Sequence, residues 1–205
     1  MRLLVTGTDT DVGKTIFAAA LAGALGASYW KPIQAGGLDH TDSDIVRDLS
    51  GLKPEKILPE RYRFKMPCSP HRAAELEDIR IEHEELDPPD ADPLVVEGSG
   101  GLLVPLGREA VLADLFARWR LPSVLVARTG LGTINHSLLS IHALRSWGIP
   151  LLGVAFVGDG NCDSEEIICA MGGAKRLGRL PRLDPLGRTS LHAAFSANFR
   201  LADFR

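Results

Sequence analysis

Residues 7–15 read GTDTDVGKT and directly follow the apolar run Leu3-Leu4-Val5. The usual phosphate-binding loop reads G-x-x-x-x-G-K-[ST] and lies between a strand and a helix. The closing G-K-T fits that pattern, but the first glycine is Gly7, one residue early, and position 8 is Thr8. No function of the loop needs a glycine at position 8 if the chain turns at Gly7 instead. In this context the stretch predicts a variant phosphate-binding loop and not an ordinary strand-turn-helix.

The end of the loop supplies the groups that would bind phosphate. Gly13 lets backbone amides approach an anion closely, and the N-terminus of the following helix adds partial positive charge. Lys14 supplies a full charge near the outer phosphates, and Thr15 offers a hydroxyl for Mg²⁺. Asp9 occupies the place where ATPases of the plasmid-partition, division-site and nitrogenase-iron-protein type carry a signature lysine. The loop is therefore unlike that of these moving ATPases.

Short apolar runs alternate with helical patterns along the chain. The runs predict strands at Leu3–Thr6, Ser28–Trp30, Leu94–Val96, Val124–Ala127 and Leu151–Val157, and helices at Thr15–Leu25 and 134–147. The strand runs are continuously apolar, as in strands that are covered on both faces. This pattern predicts an α/β fold of the P-loop NTPase type, a mainly parallel sheet with helices on both faces, in one domain spanning 1–205. The acidic segment 75–92 is predicted to be a solvated helix and linker.

The composition excludes several function classes. A chain of 205 residues with 45% hydrophobic content fits one domain, and a net charge of −3 gives no sign of a nucleic-acid or membrane-surface partner. The three cysteines lack C-x-x-C spacing, which fits a reducing compartment. No apolar run reaches membrane-spanning length, and the histidines show no metal-ligand spacing. We expect a soluble cytoplasmic protein whose chemistry concerns phosphate and magnesium.

Three charged residues outside the loop are candidates for the site. Lys31 follows the second strand, where an ammonium could stabilise a transferring phosphoryl group, although alone it would be read as a surface lysine before a proline. Glu97 follows the strand at 94–96 and precedes a glycine-rich loop, which is typical of a magnesium anchor in nucleotide enzymes. Asp44 forms a T-x-x-D pattern with Thr41, and on spacing alone this pattern favours a helix cap.

Seven stretches, in order from one end of the chain to the other, resemble the dethiobiotin synthetase family, the ATP-dependent ring-closing enzymes of biotin synthesis. They are GTDTDVGKT (7–15), KPIQAG (31–36), SD (43–44), SPHRAA (69–74), VEGSGG (96–101), RTGLGTINH (128–136) and GRLPRL (178–183). No single stretch would identify the family, but together they are specific. The family's phosphate loop also has its glycine one place early, with T-D-T in between.

The resemblance implies a reaction and its site residues. The reaction joins 7,8-diaminopelargonate, CO2 and ATP with the help of Mg²⁺ and releases ADP and phosphate, and the enzyme is a ligase that works as a homodimer. The implied catalytic residues are Lys31, beside the carbamate and the γ-phosphate, with Thr10 and Lys14. The implied ATP contacts are Asp11, Val12, Gly13, Lys14, Thr15, Ile16, Asp44, Glu97, Gly98, Ser99, Gly100, Pro181, Arg182 and Leu183. The implied magnesium ligands are Thr15, Asp44 and Glu97. Residues 132–136 are implied to receive the substrate carboxylate across the dimer interface.

The chain departs from the family pattern at two places. Ala35 replaces a serine or threonine that usually stands four residues after the active lysine, so Gln34 or the backbone is expected to replace its contact with the substrate. VGDGN (157–161) replaces an asparagine-containing turn near the base, which leaves the base preference open. Two other functions share the fold and the loop: an ATPase switch of the partition type, and a relative of the cobyrinate-type amidoligases, which are longer and carry a glutaminase domain.

Overall fold

A parallel β-sheet with helices on both faces organises the chain in the computed structural model, which describes residues 1–205. The strands are β1 (Arg2–Gly7), β2 (Ser28–Trp30), β3 (Ile33–Ala35), β4 (Ile57–Leu58), β5 (Tyr62–Phe64), β6 (Leu94–Glu97), β7 (Ser123–Arg128), β8 (Leu151–Val157) and β9 (Arg176–Leu180). The helices are α1 (Lys14–Leu25), α2 (Asp42–Ser50), α3 (Pro70–Leu76), α4 (Leu112–Trp119), α5 (Thr133–Ser146), α6 (Cys162–Gly172) and α7 (Arg188–Asn198). Short 3-10 turns lie at Pro54–Lys56, His83–Glu85 and Leu201–Phe204.

The main sheet has seven strands in the order β4-β2-β6-β1-β7-β8-β9, and every neighbouring pair is parallel. Strands β3 and β5 form a separate two-stranded parallel sheet. All strands of the main sheet therefore end at the same edge. The loops after β1, β2 and β6, which carry most of the residues singled out in the sequence, meet there because these three strands are neighbours.

Both faces of the main sheet are buried, because successive side chains of a strand point to opposite sides. On β1, Leu4 belongs to the hydrophobic cluster that includes Phe116 of α4. The next residue, Val5, belongs to a second cluster that includes Phe17 of α1 and Phe195 of α7. This two-sided burial explains why the strand sequences are continuously apolar, and it confirms the predicted fold class.

The predicted strands and helices each match an observed element to within one residue at either end. Helix α1 ends, as expected, at Gly26, which adopts a left-handed conformation (φ 59°) and donates its backbone N–H to the last turn. No helix of the structure combines the length and the apolar character that a membrane crossing requires.

The prediction of a solvated helix and linker over 75–92 is confirmed for the carboxylates, eight of which are exposed while Glu77 is partly buried, but the helix is shorter than expected. Helix α3 ends at Leu76, and only a short 3-10 turn follows before β6. Ile81 and Leu86 are buried, and Arg118 and Trp119 donate hydrogen bonds to the Leu86 carbonyl oxygen at 2.9 and 2.8 Å. These anchors hold the acidic segment in an irregular conformation against α4, so most of it never forms helical hydrogen bonds.

Candidate active site

The phosphate-binding loop connects β1 to α1 as its sequence predicts. Gly13 is the N-cap of α1 in a left-handed conformation (φ 91°), and a Cβ there would lie 2.6 Å from Val157 Cγ1. A Cβ at Gly7 would lie 2.8 Å from Lys14 Cδ. The early glycine is therefore required because the lysine side chain runs across it. Lys14 is buried, and its Nζ donates to the Asp9 carbonyl oxygen at 2.6 Å.

A cavity of about 650 Å³ opens at the carboxyl ends of β1, β2 and β6. Its volume is in the range of small-molecule sites. The sequence-predicted residues that line it are Thr10, Asp11, Gly13, Lys14, Thr15, Ile16, Lys31, Glu97, Ser99 and Gly100. The other lining residues are Gln34, Ala35, Asp42, Ile45, Pro67, Cys68, Ser69, Pro70 and Val104. The fold thus brings the phosphate loop, Lys31 and Glu97 to one site, which Gln34 and Ala35 also line.

Glu97 is the centre of the hydrogen-bond network in this cavity. Its side chain is fully buried, and its Oε1 accepts hydrogen bonds from Thr15 Oγ1 at 2.8 Å and from Lys31 Nζ at 3.2 Å. Its Oε2 accepts a hydrogen bond from the Tyr29 hydroxyl at 2.8 Å. A buried carboxylate requires such partners, and here they come from α1, from the end of β2 and from within β2.

Two lysines give the cavity its positive charge. Lys31 is only 4% exposed and forms ion pairs with Glu97 and Asp42. Burial alone would lower the pKa of Lys31, but the attraction of Glu97 and then of Asp42 outweighs it, so the pKa is raised and the ammonium stays charged. Burial lowers the pKa of Lys14, although Glu97 partly opposes that shift.

Asp44, which the resemblance implies as a magnesium ligand, is hydrogen-bonded at the start of α2. Asp44 Oδ2 accepts hydrogen bonds from the backbone N–H and the hydroxyl of Thr41 at 2.9 and 2.7 Å, and Oδ1 accepts one from Arg47 at 2.6 Å. With the Asp44 N–H donating to Thr41 Oγ1 at 3.2 Å, this is the capping box at the start of α2. The Thr41 hydrogen bonds, first that from its hydroxyl, lower the pKa of Asp44 to about 2. Asp44 does not line the cavity.

Asp42, the first residue of α2, lines the cavity instead. Its carboxylate pairs with the Lys31 ammonium. Asp42 is a variable position of the T-x-x-D pattern, so the pattern alone does not single it out. The available signal was an adjacent carboxylate at the same helix start.

Other residues implied by the resemblance lie outside the lining of this cavity. Val12 is buried in the core, and a Cβ at Gly98 would lie 2.8 Å from Phe116 Cζ, so Gly98 serves close packing. The Pro181-Arg182-Leu183 stretch follows β9 at the same sheet edge. Arg182 Nε lies 3.5 Å from Asp159 Oδ2. That pairing puts the loop after β9 beside the VGDGN turn.

Residues 132–136 form the start of α5, also outside the cavity lining. Gly132 is the N-cap with a left-handed conformation (φ 90°), and Thr133 is buried and donates its hydroxyl proton to the Arg128 carbonyl oxygen. Leu131, which precedes this helix start, is fully exposed. The Thr133 N–H donates to the Gly130 carbonyl oxygen at 3.2 Å, and the other N–H groups of the first turn lie beside an exposed apolar side chain.

Comparison with known proteins gives consistent relatives. The AAA domain family model matches residues 1–190. The ATP-dependent dethiobiotin synthetase BioD of Rhodopseudomonas palustris (strain BisB18) is 60% identical over 204 residues, which cover 99% of this chain and 98% of the relative. The protein of the same description from Novosphingobium aromaticivorans is 60% identical over 201 residues, 98% of each chain. The similarity thus extends over nearly the whole of both sequences.

Solved structures share the fold at low sequence identity. The cell division ATPase MinD of Pyrococcus furiosus matches with a TM-score of 0.54 at 14% identity, over 94% of this chain and 88% of that one. The septum site-determining protein MinD of Pyrococcus horikoshii, complexed with Mg-ADP, matches with a TM-score of 0.54 at 14% identity, over 95% and 86%. At such identities the likeness concerns the P-loop NTPase fold alone.

Proposed function

The chain belongs to the ATP-dependent dethiobiotin synthetase family, and from that premise we propose that it is a ligase that makes dethiobiotin from 7,8-diaminopelargonate, CO2 and ATP. The observation that carries the proposal is one cavity that joins a phosphate-binding loop to the buried, charged Lys31. Close relatives at 60% identity over nearly the full chain support the same activity.

The proposed reaction has three steps. One amine of the diamine combines with CO2 to form a carbamate. A carbamate oxygen then takes the γ-phosphoryl group of ATP, which releases ADP and leaves a carbamic-phosphoric anhydride. The second amine attacks the carbonyl carbon, the ureido ring closes, and phosphate departs. Because no covalent enzyme intermediate is needed, the protein's contribution is charge neutralisation and positioning.

The loop residues account for nucleotide binding in this proposal. The backbone amides at Gly13 and at the start of α1 surround the phosphates, and Lys14 neutralises the outer ones. Lys31 reaches the cavity from the end of β2, where it would neutralise the carbamate and the migrating phosphoryl group. Thr10 lines the same cavity. The stretch 181–183 is proposed to lie along the base.

The cavity also suits Mg²⁺, which prefers oxygen ligands. Thr15 offers a hydroxyl, and Glu97 and Asp42 each offer a carboxylate to the same space. When bound, Mg²⁺ neutralises phosphate charge. We assign the third ligand to Asp42 because its carboxylate lines the cavity, whereas Asp44 lies outside the lining in the capping box with Thr41.

The substrate carboxylate is proposed to bind the N-terminus of α5 from a second copy of the chain. Residues 132–136 do not line the cavity of their own chain, and the exposed Leu131 beside them would be covered by a partner. A helix N-terminus favours anions. The active unit would then be a homodimer with composite sites.

A product assay tests this function. Purified protein is incubated with ATP, Mg²⁺, the diamine and bicarbonate, and dethiobiotin is measured by mass spectrometry beside released phosphate. We expect phosphate release to require both the diamine and CO2. Steady phosphate release without the diamine, and no dethiobiotin, would instead indicate an ATPase switch.

Nucleotide binding is tested separately with Lys14→Ala. Isothermal titration with a non-hydrolysable ATP analogue and Mg²⁺ is expected to show lost affinity, while the melting temperature stays near that of the wild type. Unchanged affinity would refute the assignment of the phosphate-binding loop.

A further inference from the structure

Tyr29 is a buried polar side chain that the proposed reaction does not use. It lies on β2, is 0% exposed, and belongs to the hydrophobic cluster that includes Val95 and Phe17. It does not line the cavity. Its hydroxyl donates a hydrogen bond to Glu97 Oε2 at 2.8 Å.

The parallel pairing of β2 with β6 explains how this contact arises. Tyr29 is opposite Val95 in the register, and Glu97 follows Val95 by two residues on the same strand. Side chains two residues apart on a strand point to the same face. The tyrosine ring therefore extends along that face, and its hydroxyl meets the carboxylate at the strand end.

The two oxygens of the Glu97 carboxylate have different surroundings. Oε1 has Thr15 and Lys31 as partners, and both of these residues line the cavity. Oε2 has one hydrogen-bond partner, the Tyr29 hydroxyl. When a ligand draws Thr15 and Lys31 toward itself, Tyr29 is the partner that still fixes the rotation of the carboxylate.

We propose that Tyr29 is a positioning residue that orients Glu97 so that Oε1 faces the cavity, ready for a divalent cation bound with a nucleotide. The inference rests on the proposed function only for the identity of this ligand. A partner that orients a metal-binding side chain commonly accounts for about 10–100-fold in metal affinity. The same contact read as structure alone would stabilise the fold without affecting metal dependence.

The test is Tyr29→Phe in the full-length protein, which removes the hydroxyl and keeps the ring. Binding of a non-hydrolysable ATP analogue is measured by isothermal titration over a series of Mg²⁺ concentrations. We expect the Mg²⁺ concentration that gives half of the maximal gain in analogue affinity to rise about tenfold. Affinity without metal should match that of the wild type, because Tyr29 does not touch the cavity.

Tyr62→Phe is the matched control. Its hydroxyl accepts a hydrogen bond from the Glu82 backbone N–H at 2.9 Å, and Tyr62 does not line the cavity. This variant is expected to keep the wild-type metal dependence. An unchanged metal dependence in Tyr29→Phe, or an equal shift in both variants, would overturn the inference.

A second measurement avoids any substitution at Tyr29. The chain has two tyrosines, so Tyr29 is the one tyrosine left in Tyr62→Phe protein. A 13C label at the tyrosine Cζ then gives one NMR signal. Adding Mg²⁺ to the analogue-bound protein should shift that signal, and no shift would also overturn the inference. Neither measurement depends on turnover. If the protein formed no dethiobiotin, the proposed function would be refuted, but this inference would still stand.

Discussion

Lys31 is the residue on which the proposed mechanism depends most. Lys31→Gln keeps a similar length and hydrogen-bonding capacity but removes the charge that Glu97 and Asp42 now share. We expect kcat to fall on the order of a hundredfold or more, because a preorganised cation acts on charge that develops in the transition state. Nucleotide affinity should survive better than in Lys14→Ala. Turnover within a few-fold of the wild type under saturating substrates would exclude this role.

A pair of isosteric variants separates the two acidic residues of the α2 start. Asp42→Asn should raise the Mg²⁺ requirement at least about tenfold, since it alters a proposed ligand. Asp44→Asn should leave that requirement unchanged, because Asp44 contacts Thr41 and Arg47 and not the cavity. The assay is dethiobiotin formation at limiting Mg²⁺. If Asp44→Asn raises the Mg²⁺ requirement and Asp42→Asn does not, then Asp44 is the ligand, as the family resemblance implies.

At the scale of the element, α2 combines a helix cap with a cavity residue in its first turn. Removing the Asp44 side chain from the capping box with Asp44→Ala should lower the free energy of unfolding by about 0.5–1.5 kcal/mol at pH 7. The pKa of Asp44 is lowered in the folded state to about 2, so its contribution is complete above its ordinary pKa and is lost as the pH falls toward 2. Urea denaturation from pH 7 to pH 2.5 should show the wild type and the variant converging. A constant difference would mean that the carboxylate charge contributes nothing.

The central elements were predictable from the sequence, and the peripheral ones were not. β1, β6, β7 and β8 are covered on both faces, so an uninterrupted apolar run marks each of them. The edge strand β9 reads RLGRL, with arginines that reach solvent, and it carries no such signal. Strands β3, β4 and β5 have two or three residues each, too few to show a period, whereas the equally short β2 is marked by the Lys31-Pro32 stop that follows it.

The site was predictable to the extent that it is local in sequence. The phosphate loop is one continuous stretch, whereas the Tyr29–Glu97 hydrogen bond depends on the register between β2 and β6. The cavity position of Asp42 likewise depends on the angle at which α2 leaves its loop. Neither spacing nor composition contains that information.

At the scale of the whole molecule, the C-terminal segment is fastened to α1 by aromatic packing. Phe204 lies 6.3 Å from Phe17 and 6.0 Å from Phe195, centroid to centroid. Phe204→Ala should lower the free energy of unfolding by about 3–5 kcal/mol, as expected for an emptied aromatic site. Arg205→Ala, an exposed change next to it, should stay within about 0.5 kcal/mol of the wild type. If both variants unfolded at the same urea concentration, the packing of Phe204 would contribute nothing to the free energy of unfolding.

The proposed homodimer makes its own prediction. Neither Lys31→Gln nor Gly132→Ala should be active alone, the second because a Cβ is strained at φ 90° and displaces the amides of α5. Mixed heterodimers should regain part of the activity, since one site then combines an intact Lys31 with an intact α5. Activity is measured on heterodimers purified through two different tags. Absent rescue would mean that each chain holds a complete site.

The central place of β1 has a consequence for how the protein is made. β1 leaves the ribosome before both of its neighbours, which are residues 94–97 and 123–128. At about 5–20 residues per second, the nascent chain carries an unpaired, strongly apolar strand on the order of ten seconds before a partner exists. The phosphate-binding loop that follows β1 lacks, in that interval, the strands β6 and β7 that flank β1 in the folded protein. We therefore expect the nascent chain to be more prone to aggregation, and more dependent on chaperones, than the folded protein.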